Sequence, residues 1–432
     1  MKTKFLGVLF LSAVFCIPAI AQNKCTITIQ ANKPVAEVQP TMWGIFFEDI
    51  NMAADGGIYA ELVKNRSFEF AKPMDGWTVQ PVGNMPYQPF QKQFGEGTVI
   101  IINRQQSNTT NPRFIRITAK NTAKGSLGLT NDGFRGMGIK KDVQYDFSLM
   151  YRQQSADIKM YVELVDSSGK ILGGTTFIPT EADNNWHKQS VSFTANKTET
   201  KAKLNIWFEG NGVIDLDMIS LFPRDTWKHR PGGLRADLVQ LLADLKPGFI
   251  RFPGGCIVEG RELATRYQWK KTIGPIEDRQ LIINRWNTEI AARPAPDYFQ
   301  TFGLGFFEYF QLAEDIGAEP LPILNCGMAC QFNTAEVAAL QQIDPYVQDA
   351  LDLIEFANGD TNTKWGTVRA RLGHPAPFNL KMIGVGNENW GPQYIERFKV
   401  FQKTIKKKYP EIKIVASTSA EYQGERFKYL IG

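Results

Sequence analysis

Residues Lys381 to Gly391 read K-M-I-G-V-G-N-E-N-W-G. Met382, Ile383 and Val385 form a short apolar strand, loosened by Gly384 and Gly386. It delivers Asn387, Glu388, Asn389 and Trp390 where the strand stops. An amide, a carboxyl, an amide and an indole are a poor finish for a strand that only packs. In a parallel α/β barrel, the C-terminal strand ends are where side chains meet substrate. There Glu388 has the position of a general acid/base, and Asn387 that of a hydrogen-bond partner for a sugar hydroxyl. The competing reading is local. Residues Gly391 to Lys408 read as a helix, and a carboxylate ahead of a helix N-terminus is favoured by the helix dipole.

The same apolar-then-polar pattern recurs. Met42 to Asn51 reads M-W-G-I-F-F-E-D-I-N and ends on Glu48, Asp49 and Asn51, with capping or solvation as the alternative role for the two acids. Gly56-Gly57 then precedes an expected helix over Ile58 to Lys64. After Arg224, a helix over about Gly233 to Leu245 places Leu234, Leu238, Leu241, Leu242 and Leu245 at helical spacing. The strand Phe249 to Phe252 follows, and then Pro253-Gly254-Gly255-Cys256. A helix over Leu304 to Ile316 leads to the strand Pro320 to Asn325. Ala335 to Asn358 reads as largely helical, and Ile412 to Ser417 as one more strand. Five strands alternating with helices predict a parallel sheet, whose closed form is a (β/α)8 TIM barrel with only about five of its units present. Five strands do not close a barrel, so the sequence reads as the front part of a larger protein.

Between Trp77 and Phe222 the period changes from helical to two. Tyr145-Phe147-Leu149-Tyr151, Met160-Val162-Leu164 and Leu204-Ile206-Phe208 alternate with polar residues, punctuated by turn signals such as Gly210-Asn211-Gly212. This predicts an all-β jelly-roll sandwich inserted after the first strand-helix unit. Trp186, Trp207 and Tyr145 are candidates for stacking on sugar rings, with core packing as the other use of sandwich aromatics.

Composition narrows the classes. The chain has 432 residues, 43% hydrophobic and 22% charged, which is globular and long enough for two or three domains. Residues 1–21 read as a cleavable signal peptide: Lys2 and Lys4, an apolar run from Phe5 to Ile17, and Ala19-Ile20-Ala21 before the cut. That implies a secreted or periplasmic protein, with no membrane-spanning segment. Formal charge is 49 − 44 = +5, or 47 − 44 = +3 without Lys2 and Lys4. The basic residues are scattered, so no nucleic-acid partner is expected. Cys25, Cys256, Cys326 and Cys330 are too few for a disulfide scaffold. His187, His229 and His374 stand far apart, so no metal is expected, and no cofactor.

The chain resembles glycoside hydrolase family 51, the α-L-arabinofuranosidases, in the branch that carries an inserted carbohydrate-binding-type sandwich. The markers are G-I-F-F-E-D-I-N, D-G-G-I-Y-A-E-L-V-K-N-R-S-F-E, R-F-P-G-G-C with V-E-G, F-G-L-G-F-F-E-Y and G-V-G-N-E-N-W-G, in that order along the mature chain.

The resemblance implies a retaining mechanism. Glu388 matches the acid/base at the end of strand four, and Asn387 its neighbour that holds the sugar 2-hydroxyl. Glu48 matches a residue that binds arabinofuranose hydroxyls. Cys256 stands where many members have a sugar-contacting asparagine, or else is a small thiol that only packs. Trp286 matches an aromatic flanking the site, or else packs in the core. The nucleophile of the family lies on strand seven and has no counterpart in this chain. Its active-site histidine after strand five and its C-terminal β-sandwich are likewise outside the chain.

The expected organisation is a signal peptide at 1–21, an N-terminal strand with the first barrel unit at 22–75, the sandwich at 76–225, and strands two to five at 226–432. The implied substrates are arabinose-containing polysaccharides or oligosaccharides, cut from the non-reducing end. The full-length protein is expected to turn over, and the 432-residue chain alone is not. A homo-oligomer of the full-length protein is compatible with the family. Two alternatives stand beside this reading: a carbohydrate-binding fragment without catalysis, and a related barrel glycosidase such as an endoglucanase.

Overall fold

The computed structural model describes residues 27–81, 93–94, 97–103, 110–155, 157–286, 298–419, 421 and 423–426. The expected signal segment, Cys16 and Cys25 lie outside the described residues. The chain divides into two units, 1–39 and 40–432. In the first, residues 27–30, the described part of the expected N-terminal strand, are irregular, and Ile27 and Ile29 are exposed. Alternation favours a strand, but a ladder needs partners for its N–H and C=O groups.

The second unit contains a five-stranded parallel sheet. Its strands are Ile45–Phe46, Phe249–Phe252, Glu319–Leu324, Met382–Val385 and Lys413–Ala416, lying side by side in chain order. The registers pair Ile45 with Ile250, Phe249 with Glu319, Ile323 with Gly384, and Met382 with Lys413. Helices Ala236–Asp244, Phe306–Asp315, Asp344–Asn358, Lys364–Arg371 and Pro392–Lys408 make the crossovers. Proline in the first turn starts two of them, at Asp344 and Pro392, where its missing N–H costs nothing. Thr363 caps another by accepting from the Gly366 amide at 3.1 Å.

Gly384 is required by packing. A Cβ there would lie 2.2 Å from Cδ1 of Ile323 on the adjacent strand. Helix and sheet meet over aromatic rings: Phe252 stacks on Tyr309 with centroids 4.8 Å apart, and Phe310 on Phe378 at 5.1 Å.

Among the described residues from Trp77 to Pro223, the strands pair antiparallel. Glu199–Pro223, a strand of 25 residues, is its spine and pairs with Arg113–Thr122, Gly128–Asn131, Met137–Ile139, Gln144–Gln153 and Ile158–Val165. Gln144–Gln153 alternates strictly between half-buried and buried positions. The inward set builds a separate apolar core that includes Phe147, Leu149, Val162, Leu164, Leu204 and Ile206. Tyr145 is buried in that core, so it is a packing residue. Trp186 is half-buried, edge-on to Phe114 and under the Arg152 guanidinium.

Three local expectations are corrected. Ile58 to Lys64 is not a helix. Tyr59 bridges to Leu234, and Glu61 turns inward to accept from the Val63 and Leu221 amides at 2.9 Å each, a tertiary demand that outweighs helix propensity. The helix before the second strand is shorter, Ala236–Asp244. It buries Val239 and leaves Leu241 and Leu245 exposed, so the inward stripe is rotated from the one that the leucines suggest. Residues 335–339 are non-helical: the Ala329 and Ala338 amides bond to the Glu336 and Gly327 carbonyls instead.

Candidate active site

Strand four ends at Val385, and the chain then kinks. Gly386 has φ +77° and Glu388 φ +50°, a left-handed conformation that a residue with a Cβ adopts only at a cost. Two long side chains hold the kink. Asn389 is buried, and its Oδ1 accepts from the Asn387 amide at 3.0 Å. Glu259, at the end of the short helix Cys256–Glu259, accepts from Asn387 Nδ2 on one oxygen at 3.0 Å and from Asn389 Nδ2 on the other at 3.3 Å. Burial pushes the Glu259 carboxyl up to about 9, helped by the charge of Cys330. Both amides of N-E-N are therefore anchored, and Glu388 between them is only half-buried.

Strand two contributes from the other side. Arg251 donates to the Gly254 carbonyl at 3.1 Å and to Asn387 Oδ1 at 2.6 Å, with its guanidinium over the Phe46 ring. Asn387 thus spends one N–H on Glu259 and one acceptor site on Arg251, which leaves one of each for a ligand. Pro253-Gly254-Gly255 then brings the backbone against strand one. Gly254 has φ +155°, and a Cβ on it would strike Glu48 Cγ at 2.6 Å.

Glu48 leaves strand one and points at this turn. Its Oε1 accepts from the Gly255 and Ile257 amides at 3.1 and 3.2 Å, while its Oε2 has no bond among the described residues. Its neighbour Asp49 turns the other way, into the core. There it accepts from the Ala54 amide and the Tyr298 hydroxyl. Burial, and then the charge of Asp55, push Asp49 up to about 7. Glu48 and Asp49 therefore part company: one faces the strand ends and the other braces the core.

Cys256 closes the group. Its Sγ lies 3.4 Å from Oε2 of Glu388, so the thiol donates to the carboxylate. Arg285 donates to the Cys256 carbonyl at 2.7 Å and to Asn333. Cys330 follows strand three and lies beside Cys256. The Cys256 thiol, and also Arg285, draw Cys330 below the ordinary thiol range, and Cys256 moves up in return. Trp286 is half-buried at the edge of the main core, with the Arg285 guanidinium over its ring.

The structure thus gathers Glu48, Cys256, Asn387 and Glu388 at the C-terminal ends of strands one, two and four, with Trp286 at the margin. Sequence reading missed Glu259, Arg251, Cys330 and Arg285. V-E-G carried a signal for Glu259, since a lone acid in a short apolar helix is costly unless it is bonded.

A half-buried carboxyl between anchored amides, with a second carboxylate at another strand end of the same parallel sheet, has the chemistry that a glycoside hydrolase needs. Residues 241–429 match the family model described as "Alpha-L-arabinofuranosidase 1 domain". The chain is 38% identical over 421 residues to an extracellular exo-α-L-arabinofuranosidase of Streptomyces chartreusis, across 93% of this chain and 47% of that protein. It is 37% identical to α-L-arabinofuranosidase 1 of Arabidopsis thaliana, across 93% of this chain and 57% of that protein. An arabinose-bound GH51 α-L-arabinofuranosidase of known structure superposes with a TM-score of 0.77 at 30% identity, covering 90% of this chain and 60% of that one.

Over most of its length the chain is similar to α-L-arabinofuranosidases, one of glycoside hydrolase family 51 among them. It spans about half the length of these curated relatives, 47% and 57%. Among the described residues, no helix is long and apolar enough to cross a membrane.

Proposed function

We propose that the whole protein is an exo-acting, retaining α-L-arabinofuranosidase that removes terminal arabinofuranose from hemicellulose or pectin side chains. The observation that carries this reading is the Glu388 carboxyl, held between two anchored amides at the same strand ends as Glu48, whose second oxygen has no bond among the described residues. Glu388 protonates the glycosidic oxygen as the bond to the leaving sugar breaks, then takes a proton from water in the second half-reaction. The free N–H and acceptor site of Asn387 and the Oε2 of Glu48 bind ring hydroxyls. The Cys256 thiol donates to Glu388.

A retaining reaction needs a second carboxylate about 5–5.5 Å from the first to attack the anomeric carbon. Glu259 has both oxygens committed to amide donors, and Glu48 has one on backbone amides and the other assigned to sugar hydroxyls. We assign that role to neither, and place it on the strand-seven residue that the family resemblance implies. The five sequential parallel strands fit the first five of a (β/α)8 barrel. In this reading residues 22–75 hold an N-terminal strand and the first barrel unit, 226–432 the continuation of the barrel, 76–225 an inserted carbohydrate-binding-like sandwich, and 1–21 a signal for export to the periplasm or medium.

The test is hydrolysis of an aryl α-L-arabinofuranoside by the full-length protein, with product stereochemistry followed by NMR. Release of arabinose with the α-configuration retained supports the reading. No release, or cleavage of cellulose in its place, overturns it.

A further inference from the structure

The spacing of the three histidines points away from a metal, but the fold assembles a different donor set. Cys256 begins the short helix after strand two, Glu259 ends it, and Cys330 lies in the loop after strand three. One ligand atom from each, two sulfurs and a carboxylate oxygen, lie within 4.8 Å of one another. Tetrahedral zinc with Zn–S of about 2.3 Å and Zn–O of about 2.1 Å spaces its ligand atoms about 3.5–3.8 Å apart, so small side-chain rotations suffice to close the set.

The surroundings suit a cation. Glu259 and Cys330 are buried, while Cys256 is half-buried on the side of Glu388, which gives an ion a way in. Three carboxyls (Glu48, Glu259 and Glu388) and two thiols face two guanidiniums, Arg251 and Arg285. Both guanidiniums are already spent on carbonyl and amide oxygens. Ionised ligands would leave an excess of negative charge that a divalent ion offsets. Two thiolates select for zinc-like ions over calcium or magnesium.

We propose that Cys256, Cys330 and Glu259 form a binding site for a thiophilic divalent cation of the zinc type, with the Glu388 carboxylate adjacent to its open position. A cation there would withdraw Glu388 from proton transfer. That consequence rests on the proposed activity, whereas the binding itself does not.

The experiment is a titration of the full chain, reduced and kept under argon, with Co²⁺ as the probe and Zn²⁺ as the competitor. The expected result is a near-ultraviolet thiolate-to-cobalt absorption that saturates at about one equivalent and is abolished by Zn²⁺. Cys330→Ser and Glu259→Gln should each weaken binding by at least about tenfold, with far-ultraviolet circular dichroism unchanged. Should one variant fail to fold, the other still decides the matter. Absence of a saturable band, or a band unaffected by the folded variants, overturns the site. Neither result depends on arabinose release, so failure here leaves the arabinofuranosidase reading intact.

Discussion

Oε2 of Glu259 accepts a hydrogen bond from Nδ2 of Asn387 at 3.0 Å, tying the helix after strand two to the exit of strand four. The other oxygen of the same carboxyl takes Asn389. Glu388 sits between these two amides, so its position is set by a residue that it does not touch.

Replacing the clamp should therefore cost both stability and catalysis. Glu259→Leu orphans two buried amide groups, at about 1–3 kcal/mol each. Urea unfolding should show a loss of about 2–6 kcal/mol, and in the full-length protein kcat should fall more than KM rises. A variant of wild-type stability would mean that the amides find other partners.

Removing the proposed acid should depend on the leaving group. Glu388→Gln should lower kcat/KM by about 10²–10⁴-fold on arabinosides with alkyl leaving groups. The loss should be much smaller on dinitrophenyl arabinoside, which needs no protonation. An equal loss on both substrates would argue that Glu388 positions substrate and does not transfer a proton.

Asp49 makes stability depend on pH with a defined sign. Its folded value is raised from 3.8 to about 7 by burial and by Asp55. Between those values the folded state holds a proton that the unfolded state has lost, so stability falls as pH rises through this window and levels off above it. The slope is on the order of 1 kcal/mol per pH unit. Asp49→Asn retains an oxygen for Ala54 and Tyr298, so its unfolding free energy, measured by urea at pH 4.5 to 7.5, should decline less steeply than that of the wild type.

Gly384 tests the strand packing beneath the site. Gly384→Ala puts a methyl into Cδ1 of Ile323 and should destabilise by about 1–3 kcal/mol. Adding Ile323→Val, which removes that Cδ1, should recover a large part of the loss. Additive losses in the double variant would show that the backbone, and not the side chain, resists the methyl.

The alternation of strand and helix was legible because it is written in local periods: two along Tyr145 to Tyr151, and near 3.6 along Phe306 to Asp315. Ile58 to Lys64 escaped because Glu61 obeys partners that lie far away in the chain. At the site, Glu48, Asn387 and Glu388 stood out since each is polar directly after an apolar strand, while Cys256 was marked by the family resemblance. Trp286 had no such marker, and the structure leaves it at the margin.

Which residues leave a strand is a property of neighbours in the chain, and the order of residues is enough to read it. How those exits face one another depends on register and on buried bonds between distant segments. Glu259 closing on Asn387 and Asn389, Arg251 reaching Asn387, and Cys330 coming to lie beside Cys256 are such arrangements. A lone acid in a short apolar helix signals that it is bonded but not to what, and two separated cysteines carry no spacing that signals their meeting. Burial makes an unbonded polar group costly, and that cost, acting only once the chain has packed, brings these residues together.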